Sequence, residues 1–242
     1  MIKFLDILKE SDDNIFIPRG SKEEKDKILI RRTNDKIQEY IRNGSEGDLD
    51  LSNSPIKVLP RNLTKVGGSL DLMYSQIEKL PDNLTVNGFL WLDYCKNLQS
   101  LPDNLTVNGD LWLDFCKNLQ SLPNGLKVTY DLDLRRTNIT SLPSDLEVGR
   151  DLILMHSQIE KLPDNLTVNG NLDLDGCKNL QSLPNGLKVK GSLDLRDTNI
   201  TFLPSDLEVG EDLILYRTPI IDMYTEEQIR EMVPGIKGII RL

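Results

Sequence analysis

Residues 87–123 read NGFLWLDYCKNLQSLPDNLTVNGDLWLDFCKNLQSLP, one unit written almost twice. Outward from it, Leu-Xaa-Leu recurs every 20 or 21 residues, nine times, starting at Leu49, Leu70, Leu90, Leu111, Leu132, Leu152, Leu172, Leu193 and Leu213. A Leu-Pro step follows the first eight at a matching phase, at Pro60, Pro81, Pro102, Pro123, Pro143, Pro163, Pro184 and Pro204. A fixed period of this length marks a stack of small units rather than one closed core. Roughly 20 ordered residues cost about 1–2 kcal/mol each in backbone entropy. One unit cannot stand alone, and the rungs must fold against their neighbours.

Within a rung the two leucines point the same way, because a strand has period two. The next apolar residue falls five or six positions later, as at Ile56, Leu98 and Ile139. The Leu of Leu-Pro, a Leu three residues after the Pro, and a Val such as Val66 or Val107 complete one interior. The return segment is about ten residues, too short for a helix with two turns. Its Pro removes a donor and fixes φ, so the segment is expected to be extended, polyproline-like or a single tight turn. A glycine (Gly68, Gly88, Gly109, Gly149, Gly170, Gly191, Gly210) then closes the corner, using its tolerance of positive φ. An Asn-Gly hairpin turn ranks second, because it leaves the Leu-Pro step without a buried neighbour.

Three residues after the second Leu sits a small polar group: Ser54, Ser75, Cys95, Cys116, Thr137, Ser157, Cys177, Thr198 and Thr218. Such side chains can bond unpaired backbone of the adjacent rung, forming an internal spine. All three cysteines lie in it, and each is followed by Lys-Asn-Leu with one extra residue in the rung. Cys95 and Cys116 are expected about 5 Å apart, where a disulfide is conceivable. Free buried thiols suit an intracellular chain better.

These residues resemble the leucine-rich repeat pattern, with its spine Asn replaced by Ser, Thr or Cys. The short period with Leu-Pro is similar to the repeat domains of bacterial type III secreted effectors, and the Val-Asn-Gly corner to repeat proteins of bacteriophage and prophage genomes. The resemblance implies an α/β-type repeat solenoid: a curved parallel sheet of about nine rungs, an irregular or extended convex side, and binding of a protein through the concave sheet. Some effectors carry a ubiquitin-ligase domain after the repeats. Only some 20 residues follow them here, so that activity is not carried over.

The solenoid is assigned to residues 46–221. Residues 1–45 are read as a helical N-terminal cap, because a solenoid exposes its core at both ends. Ile2, Phe4, Leu5, Ile7 and Leu8 make a short apolar-faced helix. Ser21 and Glu24 have capping-box spacing before a charged helix from about Lys22 to Arg42, with Ile30, Ile37 and Ile41 on one side and Asn43-Gly44 as its stop. Residues 222–242 are read as a C-terminal cap: a helix near Thr225–Met232, a stop at Pro234-Gly235, and a last strand over Ile236–Leu242.

The net charge of −9 argues against nucleic acid, since phosphate binding needs clustered Lys and Arg. No apolar run approaches the roughly 20 residues that span a bilayer. The first residues are too acidic for a secretory signal. The expectation is a cytoplasmic chain, in a host cytoplasm if phage-encoded, and a monomer when free. Catalysis finds no support. The only histidine, His156, has no fixed nucleophile nearby, the cysteines belong to the spine, and no phosphate loop or zinc spacing appears. No cofactor is called for. Stacked aspartates can hold Ca²⁺ through oxygen, but no spacing matches a calcium loop.

What distinguishes the sheet is its aromatic content. Between the leucines lie Asp50, Asp71, Trp91, Trp112, Asp133, Ile153, Asp173, Asp194 and Ile214. Both tryptophans fall on consecutive rungs, with Met73, Tyr74, Phe89, Tyr94 and Phe115 around them and Tyr130 just beyond. Seven of the thirteen aromatics gather there, in the residue types that dominate binding hot spots. Asp71, Asp110 and Asp133 with Arg135 flank them, and the acidic columns extend through Asp48, Asp131, Asp151 and Asp212. A protein-binding hot spot at rungs two to five is the favoured reading. Like residues on parallel rungs also stack simply to support one another, and charged columns also serve solubility. An assembly component, for example of a phage particle, held through its ends or edges, is the alternative.

Overall fold

Each Leu-Xaa pair forms a two-residue strand, and the strands pair in parallel with leucine opposite leucine. A computed structural model describes residues 21–242. The helix expected over Ile2–Leu8 lies outside the described residues. Leu49 pairs with Leu70, Leu70 with Leu90 and Leu90 with Leu111, and the ladder continues unbroken to Leu213. The last strand, Ile240–Arg241, joins Leu213–Ile214, so the sheet has ten strands, one more than the repeats provide. Each rung donates forward: Leu70 N–H to the Phe89 carbonyl at 2.8 Å, Leu72 N–H to that of Trp91 at 2.9 Å. The period-two leucines turn inward into one apolar core running from Ile37 to Ile240.

The return side is extended, as its prolines require, and it pairs as well. Lys65–Val66, Thr85–Val86, Thr106–Val107, Lys127–Val128 and Glu147–Val148 form a second parallel ladder, and Thr167–Val168, Lys188–Val189 and Glu208–Val209 a third. Here the bonds run backward, as from Thr85 N–H to the Thr64 carbonyl at 2.9 Å. These parallel pairings replace the Asn-Gly hairpin.

The corner glycines correct the sequence reading. None of the seven has positive φ. A Cβ on Gly149 would lie 1.9 Å from the Thr129 carbonyl oxygen, and one on Gly210 would lie 2.0 Å from that of Lys190. Glycine is required by close approach of the preceding rung, not by a left-handed backbone.

Positive φ falls elsewhere, two residues after the second Leu of every rung: Asn53, Tyr74, Tyr94, Phe115, Arg136, His156, Gly176, Asp197 and Arg217, between 52° and 69°. This bend is part of the rung's geometry. It costs a non-glycine residue on the order of 1 kcal/mol and throws its side chain to the rim of the sheet.

All nine spine residues are buried. Their bonding divides by residue type. The Cys95, Cys116 and Cys177 thiols reach the preceding rung, donating to the carbonyls of Leu72, Leu92 and Leu154 at 3.0–3.1 Å. The threonines do not reach the neighbouring rung. Thr137, Thr198 and Thr218 donate to Leu134, Leu195 and Leu215 of their own rung, each at 2.7 Å. Ser75 approaches Cys95 Sγ at 3.5 Å and Ser157 approaches Cys177 Sγ at 3.7 Å. The extra residue of a cysteine rung makes a second turn, with Leu98 N–H on the Cys95 carbonyl at 3.1 Å. The cysteines are free. Burial pushes the thiols of Cys95 and Cys177 up to about 11 and raises that of Cys116 further, so they stay neutral and unreactive.

At the first end, helix α1 (Lys22–Arg42) carries the Ser21–Glu24 capping box and buries Ile37 against the core. Its Tyr40 hydroxyl donates toward the Ser45 and Gly47 carbonyls and accepts from Gly67 N–H. Lys36 Nζ meets the Asp50 carbonyl at 2.6 Å. At the other end α2 (Glu226–Met232), capped by Thr225, buries Ile229, and the chain returns to the sheet as its tenth strand. Among the described residues no helix is long and apolar enough to cross a membrane.

Candidate functional site on the open face of the sheet

Four columns of side chains cross the open face, one for each position from the residue before the first Leu to the bend. The first holds Asp48, Ser69, Phe89, Asp110, Asp131, Asp151, Asn171, Ser192 and Asp212. These residues link successive rungs. Asp48 accepts from Ser69 N–H at 2.7 Å, Asp110 from Asp131 N–H at 3.0 Å, Asp131 from Asp151 N–H at 3.0 Å, and Asp151 from Asn171 N–H at 2.7 Å. Asn171, Ser192 and Asp212 continue the chain to Ile239. Asp110, expected to flank the hot spot, therefore has a backbone-pairing task. Phe89 is the residue of this column with no side-chain acceptor to offer, and it is 39% exposed.

The second column lies between the leucines. Asp71, Asp133, Asp173 and Asp194 each accept from the N–H two residues on, at 2.8–3.0 Å, a local turn typical of aspartate. Trp91 and Trp112 stand in register with one another at this position, 6.4 Å apart and edge-to-face at 71°. Phe89 lies 5.6 Å from Trp91. Trp91 is half-buried and Trp112 is 37% exposed.

The third column contains the residues that the sequence reading passed over. Where the second column is Trp, the third is Asp: Asp93 and Asp114, both buried. Asp93 accepts from Asp114 N–H at 2.8 Å. Asp114 is held by Arg136, whose Nε donates at 2.9 Å and whose second nitrogen also reaches the carboxylate. Burial pushes the Asp93 carboxyl up to about 6. The Asp114 N–H opposes this, the charges of Asp133 and Asp114 add to it, and Arg135 lowers it. The alternation of Leu-Trp-Leu-Asp with Leu-Asp-Leu-Arg and Leu-Asp-Leu-Met was the available signal. Met73, half-buried, and Arg135 occupy the same column.

The fourth column is the bend. Tyr74, Tyr94 and Phe115 form a continuous parallel stack, with centroids 4.7 and 5.0 Å apart and rings within 12°. Arg136 closes it with Cζ 4.5 Å from the Phe115 centroid, and Lys117 Nζ lies 5.1 Å from the same ring. Tyr74, at the open end, is 53% exposed. Two aromatic bands thus border an acidic column. Tyr130 lies two residues before Leu132 and is exposed, and His156 is exposed at the bend.

A cleft of about 680 Å³ opens on the other side, where the second and third ladders meet, lined by Thr106, Lys127, Thr129, Glu147, Asn165 and Thr167 among others. It holds no aromatic anchor, and Lys127 pairs with Glu147 at 2.9 Å. Among the described residues, no group of three or more His, Cys, Asp or Glu is arranged to hold a metal ion. No protein-family model matches the chain, and no curated protein matches it either. Its architecture is a solenoid of parallel strands, stacked at about 21 residues per turn.

Proposed function

We propose that the chain is a non-catalytic binding module of the leucine-rich repeat type, which captures a protein partner on the open face of its long sheet at the second to fifth rungs. The observation that carries this reading is the concentration of exposed rings. Phe89, Trp112, Tyr74 and Tyr130 are each 37–53% exposed, within four rungs of a chain only 5% aromatic. Soluble proteins seldom leave such clusters uncovered, and Trp and Tyr anchor binding hot spots. A cytoplasmic setting and a phage- or pathogen-encoded role as modulator of a host factor belong to the same proposal.

The test is capture from lysate of the source cell, wild type beside Trp91→Ala/Trp112→Ala, read by mass spectrometry. Loss of two anchors, each worth about 2 kcal/mol, removes the partner from the variant while the fold persists. Identical capture by both proteins would move the site off the tryptophans.

The alternative, a structural component joined through its ends, draws support from the tenth strand. Ile240–Arg241 is an edge strand, with Ile239 55% and Leu242 39% exposed beside it, and open edges invite further pairing. That reading expects self-association unaffected by the tryptophan substitutions, measured by sedimentation.

A further inference from the structure

We propose that the partner presents a basic side chain, arginine or lysine, which seats over Asp93 between the tryptophan pair and the Tyr74–Tyr94–Phe115 stack. This deepens, and rests on, the reading of this face as a protein-binding surface.

The precedent is inside the molecule. Arg136 meets a ring and a carboxylate together: Phe115 at 4.5 Å and Asp114 through its Nε at 2.9 Å. That combination joins cation–π attraction to a charge-assisted hydrogen bond, and a guanidinium suits both. One rung earlier the carboxylate recurs as Asp93 with no cation of the chain paired to it. The neighbouring Tyr94 ring is already stacked on both sides by Tyr74 and Phe115, so the carboxylate is the group left for an incoming cation. None of the ion pairs among the described residues involves Asp93 or Asp71. The nearest arginines are committed, Arg135 to Asp133 and Arg136 to Asp114.

Charge points the same way. Over the first four rungs the four columns hold Asp48, Asp50, Asp71, Asp93, Asp110 and Asp114, and neither Lys nor Arg. Lys36 lies at Asp50, and Arg136 and Lys117 lie at the Phe115 end, but the columns themselves carry only negative charge over these rungs, which favours a basic segment over an acidic one. Asp93 is 6% exposed, so its charge is poorly solvated and gains from a cation that arrives with the partner.

The test is selection from a random dodecapeptide display library on the full chain near neutral pH, counter-selected on Trp91→Ala/Trp112→Ala. The expected result is tryptophan-dependent peptides that share an Arg or Lys. Replacing that Arg by citrulline, or a shared Lys by norleucine, lowers affinity at least about tenfold, as does Asp93→Asn in the protein. Asn keeps an oxygen for the Asp114 N–H, and Asp71→Asn provides a second, independent removal of charge. Tryptophan-dependent peptides that lack a basic residue, or that ignore both the neutral replacement and Asp93→Asn, overturn this proposal and leave the protein-binding reading standing. Absence of any tryptophan-dependent peptide overturns both.

Discussion

The fifth and eighth rungs carry Asp133 and Asp194 between their leucines, and an arginine two residues later pairs with each: Arg135 Nε to Asp133 at 2.8 Å, Arg196 Nε to Asp194 at 2.8 Å. The third and fourth rungs place Trp91 and Trp112 at that position and move the carboxylate two residues along, to Asp93 and Asp114. The strand and its left-handed bend are the same in all four. The later rungs match their buried charges within the rung, and the aromatic rungs do not: Asp114 borrows Arg136 from the next rung, and Asp93 has no cation partner. The comparison teaches that a repeat scaffold with a uniform core can carry a finished surface on one stretch and an open one on another. The aromatic stretch is the one in which a buried carboxylate, Asp93, is left without a cation of the chain.

The largest expected effect tests whether the two stretches share one core. Leu113→Asp and Leu195→Asp each bury a charge at a fully buried position, at a cost of about 4 kcal/mol or more. Urea unfolding followed by circular dichroism should show both variants losing several rungs to a similar degree. A mild effect at one site only would mean that the rungs do not fold as one stack.

Next in size is Arg135→Met. It leaves Asp133, 2% exposed, without its cation, and breaking a buried pair from one side costs about 3 kcal/mol. The loss should be evident at neutral pH as a lower urea denaturation midpoint. An unchanged denaturation midpoint would show that the later rungs are less dependent on their ion pairs than the geometry implies.

Asp93→Asn should act with the opposite sign and the smallest size. The Asp93 carboxyl titrates at about 6 in the fold, above the ordinary 3.8. The folded chain therefore holds this proton more tightly than the unfolded chain. Its contribution to stability is complete below about pH 4 and is lost as pH rises through about 6, a change on the order of 2 kcal/mol. The Asn variant lacks that decline and should be the more stable protein at pH 7, with no advantage at pH 4. Parallel stability curves for the two proteins across this range would remove Asp93 from the comparison. Binding moves the other way. For the basic partner proposed above, tighter binding is expected above pH 6, where Asp93 is charged, and weaker binding below it.

Much of this was legible in the chain. The period of Leu-Xaa-Leu determined the parallel stack, because a strand has a period of two and a unit of some 20 residues has no other way to bury its leucines. The capping box at Ser21 determined where the first helix begins, since a side-chain oxygen followed three residues later by Glu satisfies free amides locally. The aromatic columns were also readable, as alternation along a strand fixes which residues share a face.

Tertiary structure alone decided what depends on the distance between rungs. The corner glycines are small because Thr129 and Lys190 carbonyls press on them, and no local preference within a rung records that approach. The spine thiols bond one rung back while the threonine hydroxyls bond at home, a choice made by reach across a gap that the sequence does not state. The bend rings became one stack because a left-handed residue recurs at each strand end and the parallel register sets successive rings about 5 Å apart. Asp93 became the unmatched charge because its surroundings are supplied by other rungs. Sequence periodicity determines which residues share a column, and only packing across rungs determines which of them are left without a partner.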